Sequence, residues 1–336
     1  MSDRRKVRLF FCFLLFICAG CQKKADNNST EAEMPVEVTE ESEGEREVFA
    51  YTFQPHVIAE EYKKIYDSNI EDEFFVFCDA ILNGRDSFPC SSRERVFQLL
   101  SISRTCLPIA EELIDKNKIT VANGTAVITY KKSQEEVFKE IAEFKEKVTQ
   151  VITSSIPYET SEVIKAIQLY TAVSQKDTYD EASTLSDMLS ICPYRAIMED
   201  TGICQEIAGE YIYYLLQVGI QAIPCSALSR DLSNAHEWAF VKLDGIFYHM
   251  DPTYQISYKD SLYFFGMDDI QREYYGDFPA GSYCYGESDV LKQEDYKVMD
   301  RRFEELWLAE RYQINADNSL TIWEINTEEE KTVFFE

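Results

Sequence analysis

Basic residues are scarce in this sequence. Lys and Arg number 33 against 60 Asp and Glu in 336 residues, which gives a formal net charge of −27. Because phosphate binding needs clustered Lys and Arg, this balance argues against a nucleic-acid partner. The same deficit argues against adhesion to anionic lipid through basic patches. The chain also lacks internal repeats, and it contains only three histidines.

No long apolar run stands near the N-terminus. The run Leu9–Ile17 follows a basic stretch at residues 4–8 and is too short to span a bilayer, which takes about 20 residues. Small residues then precede Cys21, so residues 1–20 are predicted to be a signal peptide. The segment Cys18–Cys21 resembles a bacterial lipobox, which implies lipidation of Cys21. Ordinary secretion, with cleavage at small residues, is the alternative.

The segment that follows is polar and acidic. Residues 21–47 are rich in Glu, Ser and Thr and show no apolar periodicity. Such a segment buries too little apolar surface to offset its chain entropy, so it is predicted to be a flexible linker. Together with a lipid on Cys21, it predicts a protein anchored to the cell membrane and facing the extracellular or periplasmic side.

The rest of the chain has ample material for a folded core. Hydrophobic residues make up 45% and aromatic residues 13% of the sequence. The pattern predicts a mostly helical accessory region at 48–155, a core domain at 156–292, and a C-terminal helix and two strands at 293–336. Expected in the accessory region are helices near Glu60–Tyr66, Arg93–Ser101 and Glu135–Ile152, and a hairpin turning at Asn123-Gly124.

Cys204 is expected to open a helix. Apolar residues from Ile207 to Leu216 recur at the spacing of one buried helical face, and Gly219 suits the C-terminal cap. A thiol at a helix N-terminus lies beside unpaired N–H groups and the positive end of the helix dipole, which favour a thiolate. The same N–H groups could form an oxyanion hole.

A hairpin is expected to carry the partners of this cysteine. Asp244-Gly245 is a two-residue turn signal between the strands 236–243 and 246–253. With two loop residues, Leu243 pairs with Ile246, and His236 and Asp251 become diagonal neighbours on one face, about 7–8 Å apart. A three-residue loop would place them on opposite faces. His249 shares their face but is expected opposite Phe240, too far along for the same site.

Three motifs carry a family resemblance. Gly202-Ile203-Cys204-Gln205, Ala235-His236-Glu237-Trp238 and Tyr248-His249-Met250-Asp251-Pro252-Thr253 look like the core motifs of bacterial transglutaminase-like domains. The resemblance implies an α+β, papain-like core in which a helix bearing the Cys packs on an antiparallel sheet bearing the His and Asp. It also implies a helix starting at Ser161 and a strand at Leu262–Gly266.

The resemblance also implies roles for single residues. Cys204 would be the nucleophile, His236 the general base and acid, and Asp251 the carboxylate that orients the imidazole. Trp238 and Gln205 are predicted to belong to the substrate pocket. Acyl transfer through a thioester is implied, acting on a peptide or carboxamide of a protein or peptide substrate, by hydrolysis or by crosslinking. No cofactor or metal is implied.

Three alternatives stay open. A zinc site built from the same three residues is weak, because no two of them show close metal-ligand spacing. The fold could also serve as an inactive surface binding or scaffolding module, making contacts through Tyr274, Tyr275, Tyr283 and Tyr285. Seven cysteines remain after Cys21, so at least one thiol is free, and the other six could form up to three disulfides or stay reduced in the core.

Overall fold

Helices dominate the N-terminal part of the chain. The computed structural model describes residues 46–181, 191–325, 327 and 329–335, so Cys21 and the predicted signal peptide lie outside the described residues. The helices here are α1 (Glu61–Ile65), α2 (Ile70–Leu82), α3 (Arg93–Cys106), α4 (Ile109–Leu113) and α5 (Gln134–Ser155). A small antiparallel sheet accompanies them, with strands β1 (Ser87–Pro89), β2 (Thr120–Ala122) and β3 (Thr125–Val127) in the order β1-β3-β2.

Turn and cap residues confirm several expected elements in this part. Asn123 and Gly124 both have positive φ and join β2 to β3, as the two-residue turn predicts. Helix α5 begins with a capping box, in which the Ser133 hydroxyl and the Glu136 carboxylate each accept a backbone N–H of the other residue. Helix α2 was not predicted, although Ile70, Phe74, Phe77 and Ile81 fall on one buried helical face.

The site-bearing part combines helices with a four-stranded sheet. Helix α6 begins after Ser161, whose hydroxyl accepts the N–H of Ile164, so the expected helix start is confirmed. Strand order in the sheet is β8-β7-β6-β9, and every neighbouring pair is antiparallel. The elements are α6 (Glu162–Lys176), β4 (Thr178–Tyr179), α7 (Pro193–Glu199), β5 (Thr201–Gly202), α8 (Cys204–Gln217), β6 (Ala222–Leu228), β7 (Ala235–Leu243), β8 (Ile246–Met250), α9 (Pro252–Gln255), α10 (Asp269–Tyr274) and β9 (Cys284–Tyr285).

The β7–β8 hairpin has the expected two-residue turn. Leu243 pairs with Ile246, and Phe240 pairs with His249. Asp244 and Gly245 take φ values of 49° and 87°, which the mirror-image turn at the end of a twisted hairpin requires. The expected register is therefore present as far as the Ala239–Met250 pair, where β8 ends. The prediction that this strand continues to residue 253 is wrong, because Asp251 leaves the ladder and caps α9, which begins at Pro252.

One continuous hydrophobic core runs through the described chain. It includes buried residues from Val57 in the N-terminal part, Tyr211 and Leu215 of α8, and Val333 near the C-terminus. The segments at 48–155 and 156–292 share this core, and their boundaries stay predictions. The fold is a mixed arrangement of helices and antiparallel sheet. Within the described residues, no helix is long and apolar enough to cross a membrane.

One sequence prediction near the C-terminus is wrong. A helix was expected from about 293 to 311, but the chain has only single turns at Gln293–Asp295 and Leu306–Leu308, and Arg311 already lies in a strand. Side chains of this segment instead make hydrogen bonds with residues distant in the chain. Tyr248 donates to Asp300, and Trp307 donates to the Phe265 carbonyl. The two expected strands are present within a three-stranded sheet of β10 (Ala309–Ile314), β11 (Leu320–Glu324) and β12 (Glu330–Val333).

The expected strand at Leu262–Gly266 is also absent. This segment is a series of turns, and Gly266 has a φ of +65°. A Cβ there would lie 2.3 Å from the Phe303 ring, so only glycine fits the close approach. The segment still follows the sheet edge, because the Asp251 N–H donates to the Phe264 carbonyl at 2.9 Å and His249 bridges to Met267.

Candidate active site

Cys204 is the first residue of α8, and it is a half-buried free thiol. The turn before it is fixed by Glu206, whose carboxylate accepts the Ile203 N–H at 3.0 Å. Arg195 on α7 holds the same carboxylate through both Nε and Nη2. A Cβ on Gly202 would lie 2.9 Å from the Glu206 Cβ, so glycine permits this turn. The thiol is therefore presented at a helix N-terminus, as the sequence predicts.

A close contact between two helices fixes the direction of α8. Gly209 in its second turn faces Pro193, the first residue of α7. A Cβ on Gly209 would lie 2.3 Å from the Pro193 Cγ. The absence of a side chain therefore lets α7 lie directly against α8 near the thiol.

His236 and Asp251 meet beside the sheet. The imidazole Nε2 lies 2.7 Å from Asp251 Oδ2, and both side chains are buried. Asp251 follows β8 directly and caps α9, because its Oδ1 accepts the Tyr254 N–H at 3.1 Å. Tyr170 of α6 donates to the Asp251 backbone carbonyl at 2.9 Å. The carboxylate is thus held on both sides, with one oxygen directed to the imidazole.

Aromatic rings enclose the imidazole. Tyr254 stacks on His236 with ring centroids 4.6 Å apart, Phe278 lies 5.6 Å away, and Trp238 lies 5.9 Å away. Trp238 therefore packs beside the imidazole, as expected, but it is fully buried. Its assignment to a substrate pocket stays a prediction. Tyr254 and Phe278 were missed, since nothing in the sequence separates them from other core aromatics.

The electrostatics couple the thiol to the imidazole. Burial lowers the pKa of His236, but the Asp251 carboxylate and the nearby Cys204 thiol outweigh burial and raise that pKa to about 9. Because Asp251 occupies Nε2, Nδ1 is the ring nitrogen available to the thiol. Burial also opposes the charge on Asp251, yet His236 and Arg272 hold its pKa below the usual range. The site thus favours an imidazolium between two acidic groups.

Arg272 is a site residue that sequence reasoning missed. It is fully buried, and its Nη2 lies 3.3 Å from Asp251 Oδ2. Its guanidinium carbon lies 4.1 Å from the centre of the Trp238 ring. The only sequence signal is a basic residue in a helical turn after the Asp251 motif, and that does not distinguish a buried arginine from an exposed one.

Glu237 is a buried carboxyl group beside His236 in β7. Burial raises its pKa to about 7, although Arg104 and Gln205 oppose the rise. Arg104 Nη2 lies 4.0 Å from Glu237 Oε1, and Nη1 of the same guanidinium contacts Glu287. The assignment of Gln205 to the substrate pocket stays a prediction.

His249 forms a separate pair on the same hairpin. Its Nε2 lies 3.0 Å from Asp269 Oδ1, and its Nδ1 accepts the Trp238 Nε1–H at 2.9 Å. Burial lowers the pKa of His249, since the favourable charge of Asp269 does not compensate for it. The structure thus brings His236 and Asp251 into contact, with Cys204 coupled electrostatically to the imidazole, and it pairs His249 with Asp269 instead.

The structure also bears on the disulfide and metal-site alternatives. All seven cysteines of the described residues are free thiols, and five are buried: Cys78, Cys90, Cys106, Cys192 and Cys225. The buried thiols correspond to the alternative in which the cysteines stay reduced in the core and do not form disulfides. No group of three or more His, Cys, Asp and Glu side chains in the described part of the chain is arranged to hold a metal ion.

The aromatic surface expected of a binding module is largely absent. Tyr283 is buried against Trp238, and Tyr285 is buried in β9 against Phe240, so both are core residues. Tyr275 is only partly exposed. Tyr274 alone of the four is well exposed, at 67%. The prediction fails for the two buried tyrosines because β9 joins the sheet edge and its neighbours fold over Trp238.

Comparisons with known proteins are sparse. No protein-family model and no curated protein matches the sequence. One similar solved structure is described as a proposed cysteine protease from Cytophaga hutchinsonii; it is 18% identical over 32% of this chain and 37% of that chain, with a TM-score of 0.27. Another is described as a TGase, or transglutaminase, and is 14% identical over 40% of this chain and 43% of that chain, with a TM-score of 0.28.

The descriptions of these two structures, a cysteine protease and a transglutaminase, agree with the transglutaminase-like resemblance of the three sequence motifs. The matched part covers less than half of either neighbour's own length. At such TM-scores the likeness carries no argument about activity, which rests on the geometry of the site.

Proposed function

We propose that this chain is a transglutaminase-like cysteine enzyme with a papain-like core. The observation that carries the proposal is the joint placement of three residues: a half-buried thiol at a helix N-terminus, electrostatically coupled to an imidazole whose Nε2 lies 2.7 Å from a buried carboxylate. A His–Asp pair alone is common in cores. The thiol within reach of the imidazole is what makes this arrangement chemically competent.

The steps follow from the positions of these groups. The Cys204 thiolate attacks the carbonyl carbon of a peptide or carboxamide, and backbone N–H groups at the start of α8 receive the developing oxyanion. The His236 imidazolium donates its proton to the leaving amine as the tetrahedral intermediate collapses to a thioester. Water or a second amine then attacks the thioester, and His236 takes the proton of that nucleophile. Asp251 holds the imidazole throughout.

The membrane tether belongs to the same proposal. A lipid on Cys21, followed by an acidic linker, would hold the enzyme at the outer face of the cell membrane near protein substrates. Labelling of growing cells with a clickable fatty acid should tag the wild-type protein and not Cys21→Ser. Equal labelling of both proteins would contradict the lipid anchor.

Thiol reactivity tests the enzyme directly. We expect brief treatment of the native full chain with iodoacetamide to modify Cys204 faster than Cys284, the other half-buried thiol, as read by peptide mass spectrometry. His236→Gln should remove this advantage. If Cys204 is no faster than Cys284, the chain lacks an activated thiol, and the inactive binding module becomes the better account.

A second experiment separates hydrolysis from crosslinking. Cell-surface proteins are incubated with the enzyme in water enriched in oxygen-18, with and without a biotinylated primary amine. Heavy oxygen in new carboxylates indicates a peptidase or amidase, and biotin on glutamine side chains indicates a transferase. The Cys204→Ala protein is the matched control and should produce neither product.

A further inference from the structure

Arg272 is a buried cation whose guanidinium group makes few hydrogen bonds. It has no exposed surface, and its Nη1 donates to the Tyr275 carbonyl at 2.9 Å. Its Nε and Nη2 make no hydrogen bond within the described part of the chain. Isolating a charge from water is costly, so a compensating anion has to be near.

That anion is Asp251. Arg272 Nη2 lies 3.3 Å from Asp251 Oδ2, the oxygen that also contacts His236. Rings supply the rest of the environment, since the guanidinium carbon lies 4.1 Å from the Trp238 centroid, 5.2 Å from Phe278 and 5.3 Å from Tyr254. The electron-rich faces of these rings attract the cation. They also leave it no route toward solvent.

Asp251 requires such a neighbour. Its side chain has no exposed surface, and burial by itself raises the pKa of a carboxyl group. His236 and then Arg272 are the cations that reverse this effect. A protonated Asp251 could no longer stabilise the imidazolium that the proposed mechanism needs. Arg272 differs from His236 because its charge is permanent at every working pH.

We propose that Arg272 is a positioning residue that keeps the Asp251 carboxylate ionised and aligned with His236. This inference rests on the proposed function and adds a fourth member to its machinery. The groups that contact Asp251 come from four elements: His236 on β7, Arg272 on α10, Tyr254 on α9 and Tyr170 on α6. Cys204 on α8 acts through the imidazole, and Tyr179 on β4 interacts with Asp251 only through its charge. Arg272 is the permanent cation among them.

Helix α10 fixes the position of this arginine. Its first turn is capped by Asp268, whose Oδ1 accepts the Gln271 N–H at 2.6 Å. Asp269, three residues before Arg272, is held by His249. Residues three apart lie on one face of a helix, so α10 presents Asp269 and Arg272 to the sheet together. The position of Arg272 is therefore set by contacts outside the proposed triad.

The test measures the pH profile of Cys204 alkylation in the native full chain. In the wild type, the rate falls on the acid side as the thiolate–imidazolium pair is lost. For Arg272→Gln we expect this acid limb to move up by about one pH unit or more, so that the rate within the limb falls about tenfold. Arg272→Lys keeps the charge, so its acid limb should stay near that of the wild type. A uniformly lower rate in every variant would indicate only a structural role.

Arg301→Met serves as a matched control. Arg301 lies 3.5 Å from the buried Asp268 and 5.4 Å from the Trp307 ring, so it too has a carboxylate and an aromatic ring beside it, but its side chain is 56% exposed and lies outside the site. This variant should keep the wild-type profile. If a folded Arg272→Gln protein also keeps it, the proposal is overturned.

A measurement on the wild type decides the question should Arg272→Gln not fold. With only three histidines, nitrogen-15 labelling gives a simple imidazole spectrum. His236 should retain the signature of an imidazolium bonded to a carboxylate down to pH 5. Loss of that signature in the folded protein at or above pH 5 would mean that Asp251 is protonated, and the proposal fails.

These readouts separate two kinds of failure. If wild-type Cys204 reacts no faster than Cys284, the proposed function fails, whereas the histidine spectrum still reports whether Asp251 is ionised. If Cys204 is alkylated faster than Cys284 and this advantage depends on His236, but the acid limb of its pH profile is the same in Arg272→Gln as in the wild type, only the role of Arg272 fails.

Discussion

Two buried histidines on the same hairpin each contact an aspartate, and the two pairs differ in their electrostatics. His236 contacts Asp251 at 2.7 Å, and His249 contacts Asp269 at 3.0 Å. The pKa of His236 is raised to about 9, whereas that of His249 is lowered. A short His–Asp contact therefore does not define a catalytic pair.

The third group at each imidazole makes the difference. His236 uses its remaining nitrogen toward the Cys204 thiol, which can become an anion and so favours the imidazolium. His249 uses Nδ1 to accept the Trp238 indole N–H, which is possible only when that nitrogen carries no proton. Asp269 is in addition shared with the Val298 N–H and the Gln293 amide. One histidine is thus kept charged and the other neutral.

Helix α10 connects the two pairs. It contributes Asp269 to His249 and Arg272 to Asp251, while Trp238 packs between Arg272 and the imidazole of His249. The His249 pair therefore fixes the elements that surround the His236 pair. We regard His249 as a structural residue that orients Trp238, and the experiments below separate the two roles.

Exchange of each histidine for glutamine should give the largest contrast. At pH 6, His236→Gln is expected to slow Cys204 alkylation on the order of 100-fold, because the imidazolium no longer stabilises the thiolate. His249→Gln should slow it less than about tenfold. The measurement is timed alkylation followed by mass spectrometry. Equal losses in both variants would remove the distinction between the pairs.

Exchange of each aspartate for asparagine should distinguish the two pairs in the same way. Asp251→Asn replaces the anion beside His236 by a neutral amide, so His236 loses stabilisation of its charged form, and alkylation at pH 6 should fall about tenfold or more. Asp269→Asn should leave the alkylation rate near that of the wild type and lower the free energy of unfolding by about 1–3 kcal/mol. Urea unfolding and timed alkylation of both variants test this pairing, and the reverse assignment of effects would contradict it.

The two histidines should contribute to stability at opposite ends of the pH range. The folded-state pKa of His236 is raised, so its contribution is fully present below about pH 6.5 and is lost as the pH rises through about 9; it is on the order of 3 kcal/mol. The folded-state pKa of His249 is lowered, so the wild type loses stability as the pH falls below about 6.5.

Urea unfolding at pH 5.5, 7.5 and 9.5 measures both trends. Relative to the wild type, His236→Gln should flatten the loss between pH 7.5 and 9.5, and His249→Gln should flatten the loss between pH 7.5 and 5.5. Parallel pH curves for the wild type and both variants would show that neither pKa is shifted in this way.

The smallest expected effect concerns the indole between the pairs. Trp238→Phe keeps an aromatic ring but removes the N–H that His249 accepts. We expect a loss of about 1–3 kcal/mol in the free energy of unfolding, because a buried acceptor is left unpaired. Cys204 alkylation should change less than about threefold. A larger effect on alkylation than His249→Gln produces would show that Trp238 acts on His236 directly.

Local rules predict much of this molecule. Asn123-Gly124 and Asp244-Gly245 specify their turns, Ser133 and Ser161 specify helix starts, and apolar spacing after Cys204 specifies α8. The Leu243–Ile246 register then follows from the turn, and it extends to the Ala239–Met250 pair directly before Asp251. Each of these features depends on residues close together in the chain.

Other features depend on residues far apart in the chain. The expected helix before Arg311 does not form because Asp300 and Trp307 bond to Tyr248 and Phe265 instead. The rings that enclose His236 come from Tyr254 and Phe278, and only packing selects them from 21 tyrosines and 21 phenylalanines. Periodicity and turn chemistry carry no information about such contacts.

The sequence by itself determined where the thiol, the imidazole and the carboxylate lie along the chain, because a helix start and a two-residue turn are local properties of the backbone. Only the tertiary structure decided that His236 is held charged and His249 neutral, and that Arg272 is buried against Asp251. Burial and the charges of distant residues set those states, and both exist only once the chain has folded.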